Sequence, residues 1–419
     1  MKITIPYFRG MVPRQSSRLL PDGFAADCTN VNLKSGDLAA WNEPSSITTL
    51  TPAGIKTIYK MQIADIFLRW ADDVNVARGP VAGDTTERLY FTGARDNPSS
   101  GDMTSRPKVT NYSKVTGATL RTGVTSGNYP HDWLILGVPA PDSFDETPVA
   151  SAGAPSGDSS FTTYVYTWVN ELGDEGKPSL ASNLIEFTPG DTVTITGIDD
   201  PVGTDITDYG LNSSGEKRLY RAATGPDGAT SYFFVKSVPY GTTSTTDELE
   251  DAELGEVLES EDYDLPPEDG HSIIALPNGI TVMASKNQIF LSAQNRPHAY
   301  PADFALTCDF DIVGLGAIDT TVVILTRANP YIALGSSPDQ FSMAKIELPY
   351  GCVAKRSIAH LKGFGIIYAS PNGLAAINGS GVNLISDKYF TREQWQALTP
   401  ESIYGFTHDD RYFFFFDSI

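Results

Sequence analysis

Apolar and polar side chains alternate with a period of two along much of this chain, which predicts short strands joined by turns. Ile55-Lys56-Thr57-Ile58-Tyr59-Lys60-Met61 is the first clear run, followed by Ile66-Phe67-Leu68-Arg69-Trp70 and Arg88-Leu89-Tyr90-Phe91-Thr92. Val109-Thr110-Asn111-Tyr112 is expected to close a fourth strand. Turn formers such as Asp72-Asp73 and Gly79-Pro80 separate these runs.

A second group of strands follows a Pro/Ala/Ser/Gly/Asp stretch at 138–160, which reads as a linker. Phe161 to Val169 alternates strongly, and Asp191 to Thr196, Lys217 to Arg221 and Tyr232 to Lys236 continue the pattern, with Thr-rich 242–246 as a further strand. Even spacing of short strands predicts a small β-sandwich. Residues 247–264 carry ten Asp or Glu and no base. They read as a solvated loop or second linker, and their spacing fits no EF-hand calcium loop.

The last third repeats itself. Ile280-Thr281-Val282-Met283, Val322-Val323-Ile324-Leu325, Ile366-Ile367-Tyr368-Ala369 and Tyr412-Phe413-Phe414-Phe415 begin 42, 44 and 46 residues apart. The first three are each followed by a partner run, at Gln288 to Leu291, Tyr331 to Leu334 and Leu374 to Ile377. A four-stranded propeller blade occupies roughly 40–50 residues, so the period predicts blades. Thr391-Arg392-Glu393-Gln394 has the form of a capping box, with Phe390 and Trp395 at staple positions, and predicts one short helix. The last blade-like unit needs more strands, which either the amino-terminal segment or a continuation of the natural chain would supply. The fold expected is all-β: a β-propeller-like platform with an inserted fibronectin-III/Ig-like sandwich and an extended N-terminal arm. The boundaries are 1–53 for the arm, 54–137 for the first part of the platform, 138–268 for the insert and 269–419 for the remaining blades.

Composition agrees with many short strands joined by turns: 19 Tyr and 20 Phe favour strands, and 37 Gly and 28 Pro favour turns, in 419 residues. The net charge of −21 argues against ordinary nucleic-acid binding, which needs cations to neutralise phosphates. It suits a wall that DNA passes without sticking. The first twenty residues reverse the sign, with Lys2, Arg9, Arg14 and Arg18 and no acid. They read as a solvated arm, or as one that docks on an acidic neighbour. Cys28, Cys308 and Cys352 are far apart and in no CxxC spacing, which predicts free thiols in a protein made in the cytoplasm. The start lacks an apolar signal core, and no apolar run reaches the ~20 residues of a membrane helix, so stable membrane insertion is not expected.

Catalytic patterns are missing. His131, His271, His298, His360 and His408 are scattered, and neither HExxH nor GxSxG occurs. Gly210 to Arg218 approaches a phosphate loop, but Glu216 precedes Lys217, no Ser or Thr follows, and a strand comes next. The Asp-box repeat of sialidase propellers is absent. Asp199, Asp200, Asp205 and Asp208 could ligate a cation, though a loop between sandwich strands explains them. Arg296-Pro297-His298-Ala299-Tyr300-Pro301 reads as a packed turn, or as a contact with an adjacent subunit through Arg296, His298 and Tyr300. The expectation is no enzyme, with no catalytic residue, no cofactor and no metal.

Several stretches in order resemble the nozzle-type, or tail tubular, virion proteins of short-tailed bacteriophages. They are Phe8-Arg9-Gly10-Met11-Val12-Pro13-Arg14 through Leu19-Leu20-Pro21-Asp22, then Ala25-Ala26, Cys28, Asn30, Leu33 and Ser35-Gly36-Asp37-Leu38. Ala39-Ala40-Trp41 departs from the proline and basic residue more usual there. Thr163 to Gly176 and Arg218-Leu219-Tyr220-Arg221 are similar to the fibronectin-III-like insert of that family. Tyr350 to Ser357 and Ile367 to Leu374 are similar to its carboxyl part. The resemblance implies a homohexameric ring below the portal and adaptor that walls and closes the DNA channel and conducts DNA during ejection. It implies partners among other tail proteins, passing DNA without sequence-specific binding, and residence in the virion after synthesis in the bacterial host cytoplasm. Phe8, Arg9, Arg14 and Arg18 would then be docking residues. The alternative is a propeller-type tail protein that binds or cleaves glycans.

Overall fold

The computed structural model describes residues 7–416 apart from 34–35, 38, 42, 44, 51–53, 100–102, 126, 143, 145–147, 152–157, 225–227, 229 and 380. Lys2 of the basic arm, Ser35 and Leu38 of the amino-terminal pattern and much of the linker read at 138–160 lie outside the described residues. The chain is all-β, with short helices only.

Four antiparallel meanders of four strands carry the platform, each with its strands in chain order. The first comprises Asn75–Arg78, Leu89–Thr92, Lys108–Thr110 and Leu134–Ile135. The second comprises His271–Ala275, Thr281–Ser285, Gln288–Leu291 and Leu306–Thr307. Ile312–Ile318, Thr321–Thr326, Tyr331–Leu334 and Ser342–Lys345 form the third. Ala359–Leu361, Gly365–Ser370, Gly373–Asn378 and Gly381–Leu384 form the fourth. Two hairpins flank them: Thr57–Lys60 with Phe67–Trp70 before, and Tyr404–His408 with Arg411–Phe415 after. Three of the repeating apolar runs fall in the second strand of a meander, and the fourth in the second strand of the last hairpin.

The continuous apolar runs have a packing cause. A strand covered on both faces sends alternate side chains into two cores. Val322 and Ile324 enter the core shared with the preceding meander, while Val323 and Leu325 enter the one shared with the following meander. Ile366 and Tyr368 divide from Ile367 and Ala369 in the same way. Val282 and Ala284 likewise divide from Met283. Successive sheets therefore stack face to face.

The first strands of these sheets also adjoin. His271–Ala275 lies against Asn75–Arg78 on one side and Ile312–Ile318 on the other. Ile312–Ile318 adjoins Ala359–Leu361, which adjoins Tyr404–His408. Arg356 returns to the amino-terminal part, donating from Nη2 to Thr57 Oγ1 at 3.0 Å and to the Val74 carbonyl at 3.1 Å. It also ion-pairs with Asp73.

Between the first and second meanders lies the insert. Tyr164–Val169, Glu216–Thr224 and Thr230–Pro239 form one antiparallel sheet. Val149–Ser151, Thr192–Thr196 and Ser244–Asp247 form another, and Ser160–Thr162 pairs with Ile185–Phe187. Tyr164, Tyr166, Val193, Ile195 and Leu219 fill the core between them.

Several expectations change. The run from Phe161 to Val169 is two strands in different sheets, not one. The stretch at 138–160 is not wholly a linker, because Val149–Ser151 pairs with Thr192–Thr196. The acidic stretch at 247–264 is anchored, not simply solvated: Asp247, Leu258 and Ser260 are buried. Tyr112 does not end a strand. It opens the helix Tyr112–Thr116, because the Asn111 side chain accepts from the Lys114 N–H at 3.0 Å and caps it. The helix Arg392–Gln396 carries the expected reciprocal capping box between Thr391 and Gln394, and the Phe390 and Trp395 rings lie 6.3 Å apart.

Candidate functional surfaces

The amino-terminal arm folds along the carboxyl end of its own chain. Its local form comes from paired backbone: Phe8 N–H donates to the Gly36 carbonyl at 2.6 Å, Arg9 N–H to Gly23 at 2.7 Å and Val12 N–H to Ala25 at 3.0 Å. Gly23 holds φ +87°, and a Cβ there would meet the Tyr7 ring at 2.6 Å, so the close approach needs glycine. The Arg9 guanidinium stacks 4.6 Å from the Tyr7 ring centroid. Arg14 N–H donates to the Tyr389 carbonyl at 3.0 Å, and its side chain pairs with Asp387 at 2.9 Å. Gln394, within the capped helix, donates to the Pro13 carbonyl at 2.9 Å. Further along, Trp41 meets Phe413 edge-on at 5.9 Å. Residues 14–19 are all exposed, including Arg18 and Leu19. The arm therefore presents Arg9, Arg14 and Arg18 with no acid among residues 7–20.

The turn at Arg296 to Pro301 sits where the insert meets the platform. It lines a cleft of about 410 Å³ with Arg88, the loop Leu172 to Glu175, Arg218 and Tyr263. His298 and Tyr300 are 5% and 1% exposed, so both belong to the interior of this chain and not to a surface that a neighbour could touch. Tyr300 Oη bonds with Thr281 Oγ1 at 2.8 Å, and His298 Nε2 lies 3.1 Å from the Glu175 carbonyl. Burial holds the His298 pKa below its ordinary value. Arg296 keeps an exposed side chain, which pairs with Glu259 at 3.2 Å.

Of the cleft's carboxylates, Asp174, Glu175 and Glu259 pair with cations, while Asp84 accepts from Thr86 and the Arg88 N–H. Asp174 pairs with Arg88 at 3.0 Å, and Glu175 pairs with Arg218 at 2.8 Å while accepting from Tyr220 at 2.7 Å. The Arg88–Asp174 bridge fastens the insert's loop to the platform, while the Glu175 contacts brace that loop within the insert. The acids at 199–208 have similar work. Asp200 pairs with Lys217 at 2.7 Å, and Asp208 bridges Arg106 at 3.0 Å and Arg121 at 2.5 Å. Among the described residues no group of three or more His, Cys, Asp or Glu is placed to hold a metal ion. Cys308 and Cys352 are buried free thiols, pushed up by burial to about 11 and about 12.

A third site went unseen in the sequence. Five of the platform sheets, and the segment that precedes the fourth meander, contribute residues to one cavity of about 300 Å³. Lys56, Thr57 and Ile58 come from the first hairpin, Asn75 and Ser272 from the first two meanders, and Gly314 and Leu315 from the third. Lys355, Arg356 and Ile358 precede the fourth, and Tyr404, Gly405 and Phe406 belong to the last hairpin. Only the adjacent bases Lys355-Arg356 could have signalled it. No protein-family model matches this sequence, and no curated protein does.

Proposed function

We propose that this chain is a non-catalytic structural protein of a short-tailed phage tail, a subunit of a nozzle-type ring below the portal and adaptor. In this reading 54–137 and 269–419 form one propeller of six blade-like sheets, and 138–268 is a fibronectin-III-like domain inserted between two blades. The ring of subunits walls and closes the DNA channel and conducts DNA at ejection.

The observation that carries the reading is the return of Arg356 to Thr57, Val74 and Asp73. With the first strands adjoining in series, it ties the segment before the fourth meander to the first hairpin, beside a cavity that the last hairpin also lines, and this supports a ring of sheets. A sandwich interrupting such a platform after its first full meander is the order that the nozzle resemblance implies. The net charge of −21 suits a channel wall that DNA must not adhere to. The exposed basic stretch with Arg9, Arg14 and Arg18 suits docking on an acidic neighbouring subunit. Cross-linking of purified rings tests that arrangement: lysine and carboxylate links between arm and neighbour are expected, and links confined within single chains would count against it.

A further inference from the structure

The cavity at the convergence of the sheets is unlike the rest of the molecule in charge. The chain has 51 acids against 30 Lys and Arg, yet this cavity is lined by Lys56, Lys355 and Arg356 and by no carboxylate. Arg356 is held by Asp73, Thr57 and Val74, none of which reaches Lys355. Among the described residues the Lys355 ammonium has no hydrogen bond or ion pair, while its backbone carbonyl accepts from the Ile358 N–H at 3.3 Å. It sits where sheets pack closely: a Cβ added at Gly314 would lie 3.7 Å from Lys355 Cγ and 3.8 Å from Ser272 Oγ. Ser272 is 2% exposed and adopts φ +56°, a conformation that costs a non-glycine residue, and its Oγ lies 3.0 Å from His271 Nδ1. Ile58, Tyr404 and Phe406 at the same cavity are exposed, so a small solute can reach it.

We propose that this cavity is an oxyanion site, taking one sulfate- or phosphate-class ion between Lys355, Lys56 and Arg356, with the Ser272 hydroxyl as a neighbouring donor. An ammonium buried without a counter-charge is unfavourable, and a bound dianion supplies that charge. Because Lys56 precedes the first hairpin and Lys355 and Arg356 precede the fourth meander, the ion joins those two distant parts of the platform. Burial holds the Lys355 ammonium down at about 8. Lys56, Arg356 and Tyr404 line the cavity with Lys355, His271 feels the Lys355 charge, and the nearby carboxylates Asp73 and Asp269 act on Arg356 and His271 respectively.

The test uses the full chain and sulfate, in chloride at fixed ionic strength, by thermal unfolding and by equilibrium dialysis with labelled sulfate. Wild type is expected to gain stability saturably and to bind one sulfate per chain at pH 7. Lys355→Met is expected to bind at least tenfold more weakly, while the exposed-site control Lys362→Met binds like wild type. Should Lys355→Met fail to fold, Lys355→Arg and pH carry the test. Wild-type affinity falls about tenfold or more between pH 7 and pH 9.5 as the ammonium deprotonates, and Lys355→Arg keeps its affinity. The proposal is overturned by no saturable sulfate binding, by Lys355→Met binding like wild type, or by a wild-type affinity that does not change with pH.

Discussion

Arg221 and Asp247 form an ion pair of 2.6 Å inside the insert, with 1% and 0% of their side chains exposed. Tyr164 Oη donates to the same carboxylate oxygen at 2.8 Å, and the guanidinium stacks 5.2 Å from the Phe187 ring centroid. The pair links the sheet containing Glu216–Thr224 to the one containing Ser244–Asp247. Removing Asp247 leaves Arg221 only the largely exposed Asp251, 3.0 Å away, so Asp247→Ala is expected to cost up to roughly 3–5 kcal/mol in chemical denaturation of the insert. Replacing both, Arg221→Met with Asp247→Leu, is expected to cost less. Equal losses for single and double variants would show that the pair is not the unit that matters.

Arg356 is the counterpart in the platform, where it joins residues before the fourth meander to Thr57, Asp73 and Val74. Arg356→Ala removes hydrogen bonds to a charged group, worth roughly 1.5–3 kcal/mol each before relaxation. Hydrogen exchange should quicken in Thr57–Lys60 and Tyr404–His408 and stay unchanged in the strands of the insert. A uniform change across the chain would mean that this contact is not a local seam.

Much of this fold was legible because its strands are covered on both faces. The runs at Gln288–Leu291 and Tyr331–Leu334 are strands at those very residues. Asn75–Arg78 was missed, since Asn75-Val76-Ala77-Arg78 is short and offers a single β-branched residue. Its place as the first strand of a meander comes from neighbours, not from propensity. Ile185–Phe187 and Val149–Ser151 were missed for the same reason. Of the candidate sites, the basic arm shows in the sequence as a charge reversal, but the sequence could not tell that Arg14 meets Asp387 across 373 positions. The turn at Arg296 stood out for its rings, which are mostly buried filling. The cation-lined cavity was invisible because its members span residues 56 to 406.

The His271 imidazole lies beside Lys355, and burial together with that ammonium lowers its pKa from 6.5 to about 4. The folded state therefore keeps it neutral where the unfolded chain would protonate it. Its contribution is fully present above pH 6.5 and is lost as pH falls towards 4. Urea unfolding of wild type and His271→Gln across pH 4–7 should show a difference that grows towards pH 7 in favour of wild type. A constant difference would place no titration at this residue.

The pair between Arg14 and Asp387 is 44% and 67% exposed, so its loss alone should cost no more than about 1 kcal/mol. Arg9→Glu, Arg14→Glu and Arg18→Glu combined are expected to leave the circular dichroism spectrum and cooperative melting intact while blocking ring assembly. Normal incorporation into particles would remove the docking role from the arm.

The most direct measurement is native mass spectrometry of the purified chain, alone and with portal–adaptor rings, followed by electron microscopy of the product. The account predicts a closed homo-oligomer, six subunits around a channel, seated on the adaptor and turning over no substrate. A persistent monomer that neither forms a ring nor joins the portal–adaptor assembly would contradict it.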